Sequence, residues 1–283
     1  MSKKIVSLIA IILCVCICFS GCEAITSLFG GEDTEIKYKI ENGEATVVSV
    51  PNKSTITEIV IPDEYEGVPV TKIADFSATN LEYVTAFSIG KNVKEIGVWA
   101  LENNQHIKAF QVDNENEYIC DVDGVIYTKD MKTRLFYPIA KDLTDTTDSE
   151  GNLIQISEYT IPDGVEVIRT KAFYKCYPLA KIIIPDSVKR IEEKVFFRCD
   201  KINEIKLPQS LEFIGKDAFS YCYGLTEINI PANIKQIDEY AFYNCTNLLT
   251  VNVDSAEENL ILGNKWYPTN QGKNIDKLMI NWK

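Results

Sequence analysis

The sequence predicts a solenoid in which short parallel strands stack on one another, because several residue types recur at one fixed interval. Four cysteines in the second half of the 283-residue chain are spaced by 23 residues, and they are Cys176, Cys199, Cys222 and Cys245. The same step separates four phenylalanines, Phe173, Phe196, Phe219 and Phe242. It also separates four prolines, Pro162, Pro185, Pro208 and Pro231. Three independent columns that share one period indicate a repeat architecture.

One repeat unit shows how each turn of the solenoid, here called a rung, is expected to fold. The unit at residues 225–247 reads LTEINIPANIKQIDEYAFYNCTN. Ile228 and Ile230 alternate with Asn229, which predicts a strand with the isoleucines inward and the asparagine outward. Pro231 has no N–H group for a neighbouring strand and therefore ends this one. We expect short helical or 3-10 turns to complete each rung.

The period and the unit point to one fold class. A fixed period of about 20–29 residues is typical of a leucine-rich-repeat solenoid. The unit resembles the BspA-type leucine-rich repeat of bacterial surface proteins, and this resemblance implies adhesion or surface recognition. Matching strand patterns begin at apolar residues along the chain, namely Ile56, Val84, Ile107, Ile156, Leu179, Ile202, Leu225, Leu248 and Ile275. With a further rung expected from Leu135 and Tyr137, the parallel strand column has about ten rungs.

The two ends of the repeat region, residues 56–253, are expected to be closed by caps. Residues 36–55 contain Asn42-Gly43 between two alternating runs, which predicts an N-terminal capping hairpin. Residues 254–283 follow the last clear repeat and end close to Trp282. We expect them to form a C-terminal cap that covers the exposed end of the core.

Residues 113–155 interrupt the repeat and are predicted to be an irregular insertion. Asp123-Gly124 is typical of a hairpin turn, and the acidic stretch 142–151 is expected to be a solvated loop. Asp121 begins a pattern similar to a calcium-binding loop, but the twelfth position from it is Lys132 rather than a glutamate. The sequence therefore predicts no metal site in the insertion.

Residues 1–21 have the order of a secretory signal peptide. Two lysines precede an apolar run of about 15 residues, which is shorter than a membrane-spanning helix of roughly 20 residues. The following FSGC resembles a bacterial lipobox, with Phe19 where leucine is usual. The resemblance implies cleavage between Gly21 and Cys22 and a diacylglyceryl group on the sulfur of Cys22. We therefore expect residues 22–35 to form a tether, and we expect the protein to be extracytoplasmic and anchored by lipid to the cell membrane or cell surface.

Composition and missing motifs argue against several functional classes. The net charge is −12, so the chain lacks the basic surface that would neutralise the phosphates of a nucleic acid. His106 is the single histidine, and no recognisable motif places a serine or cysteine nucleophile beside it. The sequence contains no P-loop and no G-x-S-x-G, H-E-x-x-H or G-x-G-x-x-G pattern. It predicts neither an enzyme nor a cofactor.

The four repeat cysteines suggest zinc or disulfides, but geometry argues against both. Neighbouring rungs lie about 4.8 Å apart, so the four sulfur atoms form a line roughly 14 Å long. A line of sulfur atoms cannot converge on one tetrahedral ion. Adjacent cysteines fall within disulfide range, yet their side chains point in parallel rather than toward each other. We favour a ladder of buried thiols and keep a disulfide as the alternative.

Two surfaces are candidate binding sites. Aromatic residues cluster in the turns that follow the buried phenylalanines, and they are Tyr174, Tyr177, Phe197, Tyr221, Tyr223, Tyr240 and Tyr243. Such rings suit an interface, and the alternative is that they line the core. On the strand side, Phe136 and Ile183 are apolar at positions expected to face solvent. In the adjacent outward column, Lys181 lies between Glu158 and Glu204, and we expect these charges to pair.

The hypothesis that follows is a cell-surface binding protein that recognises an extracellular protein or glycan. The alternative is a structural or assembly role within its own cell envelope, and an enzyme has the least support. The sequence leaves the partner and the oligomeric state open, because solenoid binding residues vary without changing the repeat.

A first prediction concerns the anchor. Changing Cys22 to alanine removes the sulfur that would carry the lipid, so processing should fail and the chain should leave its normal membrane fraction. Cell fractionation with an immunoblot measures both effects, and Cys18→Ala, inside the apolar run, is the matched control. A Cys22→Ala chain that is processed and membrane-bound like the parent would refute the lipoprotein interpretation.

Overall fold

The computed structural model describes residues 34–147, 150–269 and 278–283. The predicted signal peptide, Cys22 and nearly all of the tether lie outside these residues. The described chain confirms the predicted fold class, because it forms a leucine-rich-repeat β-solenoid of about 9 turns with a 23-residue repeat and little helix.

Short strands make up most of the described chain. Before the insertion they are β1 (Lys37–Glu41), β2 (Glu44–Ser49), β3 (Glu58–Ile61), β4 (Glu64–Tyr65), β5 (Val68–Ile73), β6 (Ala86–Ile89), β7 (Glu95–Ile96) and β8 (Ala109–Val112). Within it they are β9 (Ile119–Val122), β10 (Val125–Thr128), β11 (Thr133–Phe136) and β12 (Thr144–Thr147). After it they are β13 (Leu153–Thr160), β14 (Val167–Ile168), β15 (Leu179–Ile183), β16 (Arg190–Ile191), β17 (Glu204–Lys206), β18 (Phe213–Ile214), β19 (Glu227–Ile230), β20 (Gln236–Ile237), β21 (Thr250–Val253), β22 (Ile261–Leu262) and β23 (Met279–Trp282). A 3-10 turn at Glu257–Asn259 is the one helical element among the described residues.

The longer strands form the predicted strand column. In the first half the order is β3-β6-β8, and in the second half the sheets run β12-β13-β15-β17 and β19-β21-β23. Successive rungs pair in parallel and in register, as Ile228 does with Val251. Ile228 and Ile230 are buried while Asn229 is exposed, so the alternation predicted for this unit is confirmed.

A second parallel sheet forms the opposite wall, where we expected short helical or 3-10 turns. Its two-residue strands β14, β16, β18, β20 and β22 pair in order, as Ile214 does with Ile237. Each of the first four buries an isoleucine against the core. An alternating pattern cannot be recognised over two residues, which is why the sequence indicated only isolated apolar positions here.

The tight turns that follow the short strands are also joined from one rung to the next by backbone hydrogen bonds. Two residues in each of these turns, four positions apart, have a left-handed φ. The first of each pair has a φ between 55° and 62°, and these residues are Lys171, Lys194, Asp217 and Tyr240. This conformation directs the N–H group toward the next rung, where Lys194 donates to the carbonyl of Lys216 at 2.9 Å. A residue other than glycine in the left-handed conformation costs about 1–2 kcal/mol. In return, the hydrogen bond between rungs satisfies a backbone group that stacking would otherwise leave unpaired.

The phenylalanine column is a continuous stack in the core. The ring of Phe196 lies between those of Phe173 and Phe219, with centroid distances of 5.1 Å and 5.2 Å. Phe242 continues the stack at 5.1 Å from Phe219, and Trp266 follows with its ring centroid 6.5 Å from Phe242. The repeat therefore places aromatic rings at the same separation as the strands.

The cysteine column forms hydrogen bonds to this stack. The thiol of Cys222 donates to the carbonyl oxygen of Phe196 at 3.1 Å, and the same bond is formed at Cys199 and Cys245. The sulfur atoms therefore point to backbone oxygens rather than to one another. Burial raises the pKa of the Cys245 thiol to about 12, which keeps it protonated and able to donate.

Asn104 occupies the corresponding position in the first half of the solenoid. Its side-chain nitrogen donates to the carbonyl of Ala78 at 2.8 Å, as the thiols do to phenylalanine carbonyls. Its side-chain oxygen also accepts a hydrogen bond from the N–H of Leu81 at 2.9 Å. An amide thus continues the column where a cysteine is missing, so the sequence search for cysteine underestimated its length.

The insertion contains a buried strand, β10, which lies between two hydrophobic cores and is here called the partition. β9 and β10 pair in antiparallel fashion around Asp123-Gly124, where the predicted hairpin turn has φ values of 52° and 75°. Val125 and Tyr127 of β10 belong to the core of the second half, whereas Ile126 belongs to the core of the first half. β10 is therefore buried on both faces and separates two hydrophobic cores.

The position of β11 overturns the expectations for this part of the chain. Leu135 and Tyr137 do not add a rung to the strand column, because β11 pairs with β14 in the short-strand sheet. Phe136, expected to face solvent, is 7% exposed, and Arg134, two residues before it, is 0% exposed. The Arg134 guanidinium lies 3.4 Å from the ring centroid of Phe173 and so extends the phenylalanine stack toward the partition.

Part of the acidic stretch is a strand rather than a loop. Residues Thr144–Thr147 form β12, which pairs in antiparallel fashion with β13. Its side chains are mostly exposed, so the stretch is solvated as expected. β12 also protects the edge of the second-half sheet, because a polar edge strand hinders pairing with other chains.

Both ends of the described chain pack against the solenoid. β1 and β2 form a hairpin at Asn42-Gly43 and β2 continues the pairing to β5. At the other end, the Trp282 ring centroid lies 5.9 Å from that of Trp266. β23 pairs Ile280 with Val251, which is two residues out of register with a strand that begins at Ile275, a residue outside the described part. The error arose because Leu278, Ile280 and Trp282 are apolar at every second position, so the alternation fits two registers that differ by two residues.

A second prediction concerns the thiol ladder. Mass measurement after alkylation under denaturing, non-reducing conditions should find free thiols at Cys176, Cys199, Cys222 and Cys245, because each of the last three is already hydrogen-bonded to a carbonyl. The reduced and alkylated chain is the reference. A mass lower by two hydrogens per pair of cysteines would mean that adjacent rungs are bridged.

Candidate functional site

The aromatic turn residues form one contiguous surface, here called the turn face. It comprises Tyr174, Tyr177, Phe197, Tyr221, Tyr223, Tyr240 and Tyr243, all of which are half-buried. Tyr174 and Phe197 stack with centroids 5.2 Å apart and an angle of 15° between the rings. Tyr221 packs edge-on against Tyr223 and Tyr243 at 6.2 Å and 5.7 Å. The rings therefore cover one another and leave only parts of their edges to solvent.

The raised pKa values of two tyrosines also indicate that the turn face is partly buried. Burial is the largest cause that raises the pKa of Tyr174 to about 12, and the nearby Glu102 carboxylate raises it further. Burial also raises the pKa of Tyr177, whose ring centroid lies 5.6 Å from the Arg198 guanidinium. Rings in this environment stabilise the wall of the solenoid, so they are weaker candidates for a partner than the sequence suggested.

The outward side chains of the longer strands form the second candidate surface, here called the strand face. Ile183 is 51% exposed on it, as the sequence predicted. Strand register places Thr160 and Lys206 on either side of Ile183. Single exposed isoleucines are common on protein surfaces and need no explanation. Ile183, however, lies on a sheet face where the neighbouring outward side chains are exposed as well.

The charges of the strand face do not pair as expected. Register places Lys181 between Glu158 and Glu204, yet no ion pair within 4.0 Å joins them in the described part of the chain. Exposed ion pairs gain little because water competes with them. The ammonium of Lys181 and both carboxylates are therefore available to other groups.

Two shallow grooves run along this part of the strand face. Their volumes are about 440 Å³ and 500 Å³, and both are lined by Glu204 and Lys206. Beyond them the amides of three successive rungs are connected, since Asn252 donates to Asn229 at 2.8 Å and Asn281 donates to Asn252 at 2.7 Å. The surface thus offers apolar, charged and amide groups side by side.

Phe136 does not belong to the strand face. Its ring lies in the core of the first half, and the guanidinium of Arg169 lies 5.9 Å from the ring centroid. The alternation that predicted an outward phenylalanine was counted for a strand of the column, whereas β11 belongs to the opposite wall. Only Ile183 remains of the predicted apolar pair.

A third surface was missed by the sequence reasoning. A groove of about 790 Å³ lies on the first-half strand face and is lined by the exposed Val60 together with Ser88 and Gln111. Asp121 of β9 also lines it, and the Asp121 carboxylate accepts a hydrogen bond from the N–H of Val112 at 2.7 Å. The groove exists because the β9 hairpin stands beside β8, a placement that no local pattern reveals.

The described residues contain neither a cluster of metal-binding side chains nor a helix suited to cross a membrane. No group of three or more histidine, cysteine, aspartate or glutamate side chains in this part of the chain is arranged to hold a metal ion. His106 is exposed. None of the described helices combines the length and the apolar character that a membrane crossing requires.

The described architecture defines a leucine-rich-repeat solenoid, and sequence comparison identifies its family. A match to the BspA type leucine rich repeat region, with 6 copies, covers residues 50–122 and 151–265. The chain therefore belongs to the BspA-type leucine-rich-repeat family. The residues between the two matched ranges include β10, β11 and β12, which is consistent with a partition that departs from the repeat.

Solved structures with the same architecture are distant in sequence. The pneumococcal vaccine antigen PcpA has a TM-score of 0.60 and 21% identity over 77% of this chain and 58% of that chain, so this chain spans less than two thirds of the antigen structure. A leucine rich cell surface protein from Faecalibacterium prausnitzii has a TM-score of 0.45 and 17% identity over 85% of this chain and 95% of that one. At this identity the likeness to the antigen shows the fold alone. No curated protein matches the chain.

A third prediction tests the role of the turn face. Replacing Tyr174, Tyr177 and Tyr223 together by serine should lower the free energy of unfolding, because each packed aromatic pair contributes about 0.5–1.5 kcal/mol beyond its buried area. Chemical unfolding measures the loss, and Tyr83→Ser, at a tyrosine that is 42% exposed, is the control. A triple variant as stable as the parent would make the rings free for a partner.

Proposed function

We propose that the chain is a cell-surface binding protein whose second-half strand face recognises an extracellular protein. The observation that carries the proposal is the exposed Ile183, which lines one of two neighbouring grooves that share Glu204 and Lys206. Leucine-rich-repeat solenoids are in general non-enzymatic scaffolds, and their binding residues lie on surfaces that the repeat leaves free to vary. The strand face is such a surface.

A protein is favoured over a glycan because of which groups are exposed. Sugar rings commonly stack on open aromatic faces, but on the turn face Tyr174 and Phe197 stack on each other. The strand face offers an aliphatic side chain beside the unpaired charges of Lys181 and Glu204. An apolar contact surrounded by polar and charged groups has the composition of a protein–protein interface.

The location of this activity is part of the proposal. Members of the family are often surface proteins, and the FSGC motif at residues 19–22 supports a lipid on Cys22. A lipid and the tether of residues 22–35 would hold the solenoid outside the membrane with its strand face accessible. Capture experiments should therefore use extracellular material from a host and envelope material from the producing cell, since a stable partner only in the latter would favour a structural role.

A fourth prediction tests the strand face directly. The double variant Ile183→Glu with Lys206→Glu should weaken binding to a partner captured by the parent chain by about tenfold or more, because interface energy concentrates in few buried anchors. Both residues are exposed, but the strand register places the two new carboxylates directly opposite each other, so we expect a small decrease in unfolding temperature.

The control for the Ile183→Glu change is Ile261→Glu, which places a glutamate at an isoleucine that is 65% exposed on the opposite wall. It should bind like the parent. Equal binding by the double variant and the parent would contradict the proposal. Retained binding to a protein together with lost binding to a defined glycan would instead assign the strand face to glycans.

A further inference from the structure

The two hydrophobic cores meet at a junction on either side of β10. The strand column is interrupted after β8, where the N–H of Phe110 donates to the carbonyl of Gly124 at 2.9 Å. On the opposite wall, Arg169 donates to the carbonyl of Ile96 at 3.2 Å. A buried lysine, Lys171, also crosses the junction, because it extends from the second half over Trp99 of the first half.

Lys171 is buried without a hydrogen-bond acceptor. Its side chain is 3% exposed, and its Nζ has no hydrogen-bond partner within the described chain. The ammonium lies over the ring of Trp99 and 4.4 Å from the ring centroid of Tyr174. The nearest carboxylate oxygen, on Glu102, lies 3.8 Å from Nζ. Trp99 and Glu102 belong to the first half, so this cluster joins the two halves.

The same position one rung later has a different environment. Lys194 corresponds to Lys171 by the 23-residue period, and it also has a left-handed φ. Its side chain is 24% exposed, and its Nζ forms ion pairs with Glu193 and Asp217. The burial of Lys171 is therefore a property of the junction and not of the repeat.

We propose that Lys171 makes the junction between the two halves pH-responsive, with the halves held more tightly when the amine is neutral than when it is charged. A buried ammonium loses its hydration, and one carboxylate at 3.8 Å with two aromatic faces compensates only in part. A neutral amine of the same shape keeps the packing on Trp99 without that cost. The junction thus loosens as the proton binds.

The pH range follows from the groups around Lys171. Burial is the largest cause that lowers its pKa from 10.5 to about 8; Glu102 and Glu193 oppose this shift, whereas Lys194 and Lys175 add to it. Between about pH 8 and 10.5 the unfolded chain binds this proton and the folded chain does not. The contribution of Lys171 to stability therefore rises with pH across this range, and its penalty is greatest below pH 8.

The buried thiols act in the opposite sense and must be separated from Lys171. Burial raises the pKa of Cys176 and Cys245 from 9.0 to about 12, and it raises those of Cys199 and Cys222 well above 9.0. Their stabilising effect is complete below pH 9 and is lost above it, when the unfolded chain ionises. Comparison of the parent with a Lys171 variant at each pH cancels this contribution.

The experiment compares thermal unfolding of the full chain and of Lys171→Met at pH 7 and pH 9.5. Methionine keeps most of the aliphatic volume without the charge. The variant should melt several degrees above the parent at pH 7, and about half of that advantage should disappear at pH 9.5 as the parent loses its buried proton. Lys194→Met is the control, and its difference from the parent should not change in this way.

A direct titration keeps the proposal testable if Lys171→Met does not fold. The Cε resonances of the unmodified chain, followed by NMR, should include one lysine that titrates near pH 8. That signal should be absent from a Lys171→Arg chain. A Lys171→Met advantage that is the same at both pH values, or a titration in which every lysine has an ordinary midpoint, would overturn the proposal.

Discussion

The structure depends on the stacking of rungs at a fixed 23-residue register. No rung can satisfy its own backbone or bury its own apolar face, because its hydrogen bonds go to the next rung and its core side chains touch the same side chain one repeat away. Phe196 contacts Phe173 and Phe219, and Lys194 donates its N–H to Lys216. Rungs of other lengths keep this pairing by placing the extra residues outside the paired strands, since Glu58 pairs with Ala86 and Thr250 with Met279, 28 and 29 residues away.

The same constraint explains how much the sequence could predict. A column such as Cys199 and Cys222 is visible because stacking places one residue type in one environment at every step, so the fold class, strand alternation and thiol ladder could be derived. The second sheet could not, since strands such as Gln236–Ile237 are too short to show a pattern. The partition strand β10 has no repeat to be compared with, and its burial depends on long-range contacts with both cores.

The candidate site was predicted less completely for a related reason. Alternation indicates which side of a strand a residue occupies, but not which wall of the solenoid the strand joins. This placed Ile183 correctly and Phe136 incorrectly, because β11 pairs with β14 rather than with a strand of the column. Burial of the tyrosines depends on contacts between rungs, such as that of Tyr174 with Phe197. The interruption of the repeat also produces two features with no local signal, the first-half groove beside β9 and the buried Lys171.

The division of surfaces is the central claim about function: the turn face stabilises the wall, and the strand face around Ile183 is left for a partner. Photocrosslinking tests it most directly. A benzoylphenylalanine placed at position 183, 243 or 261 of the chain and irradiated in the presence of a captured partner reports which surface lies within contact distance. The account predicts a covalent product from position 183 and none from the other two. A product from position 243 alone would contradict it and place the partner on the tyrosines.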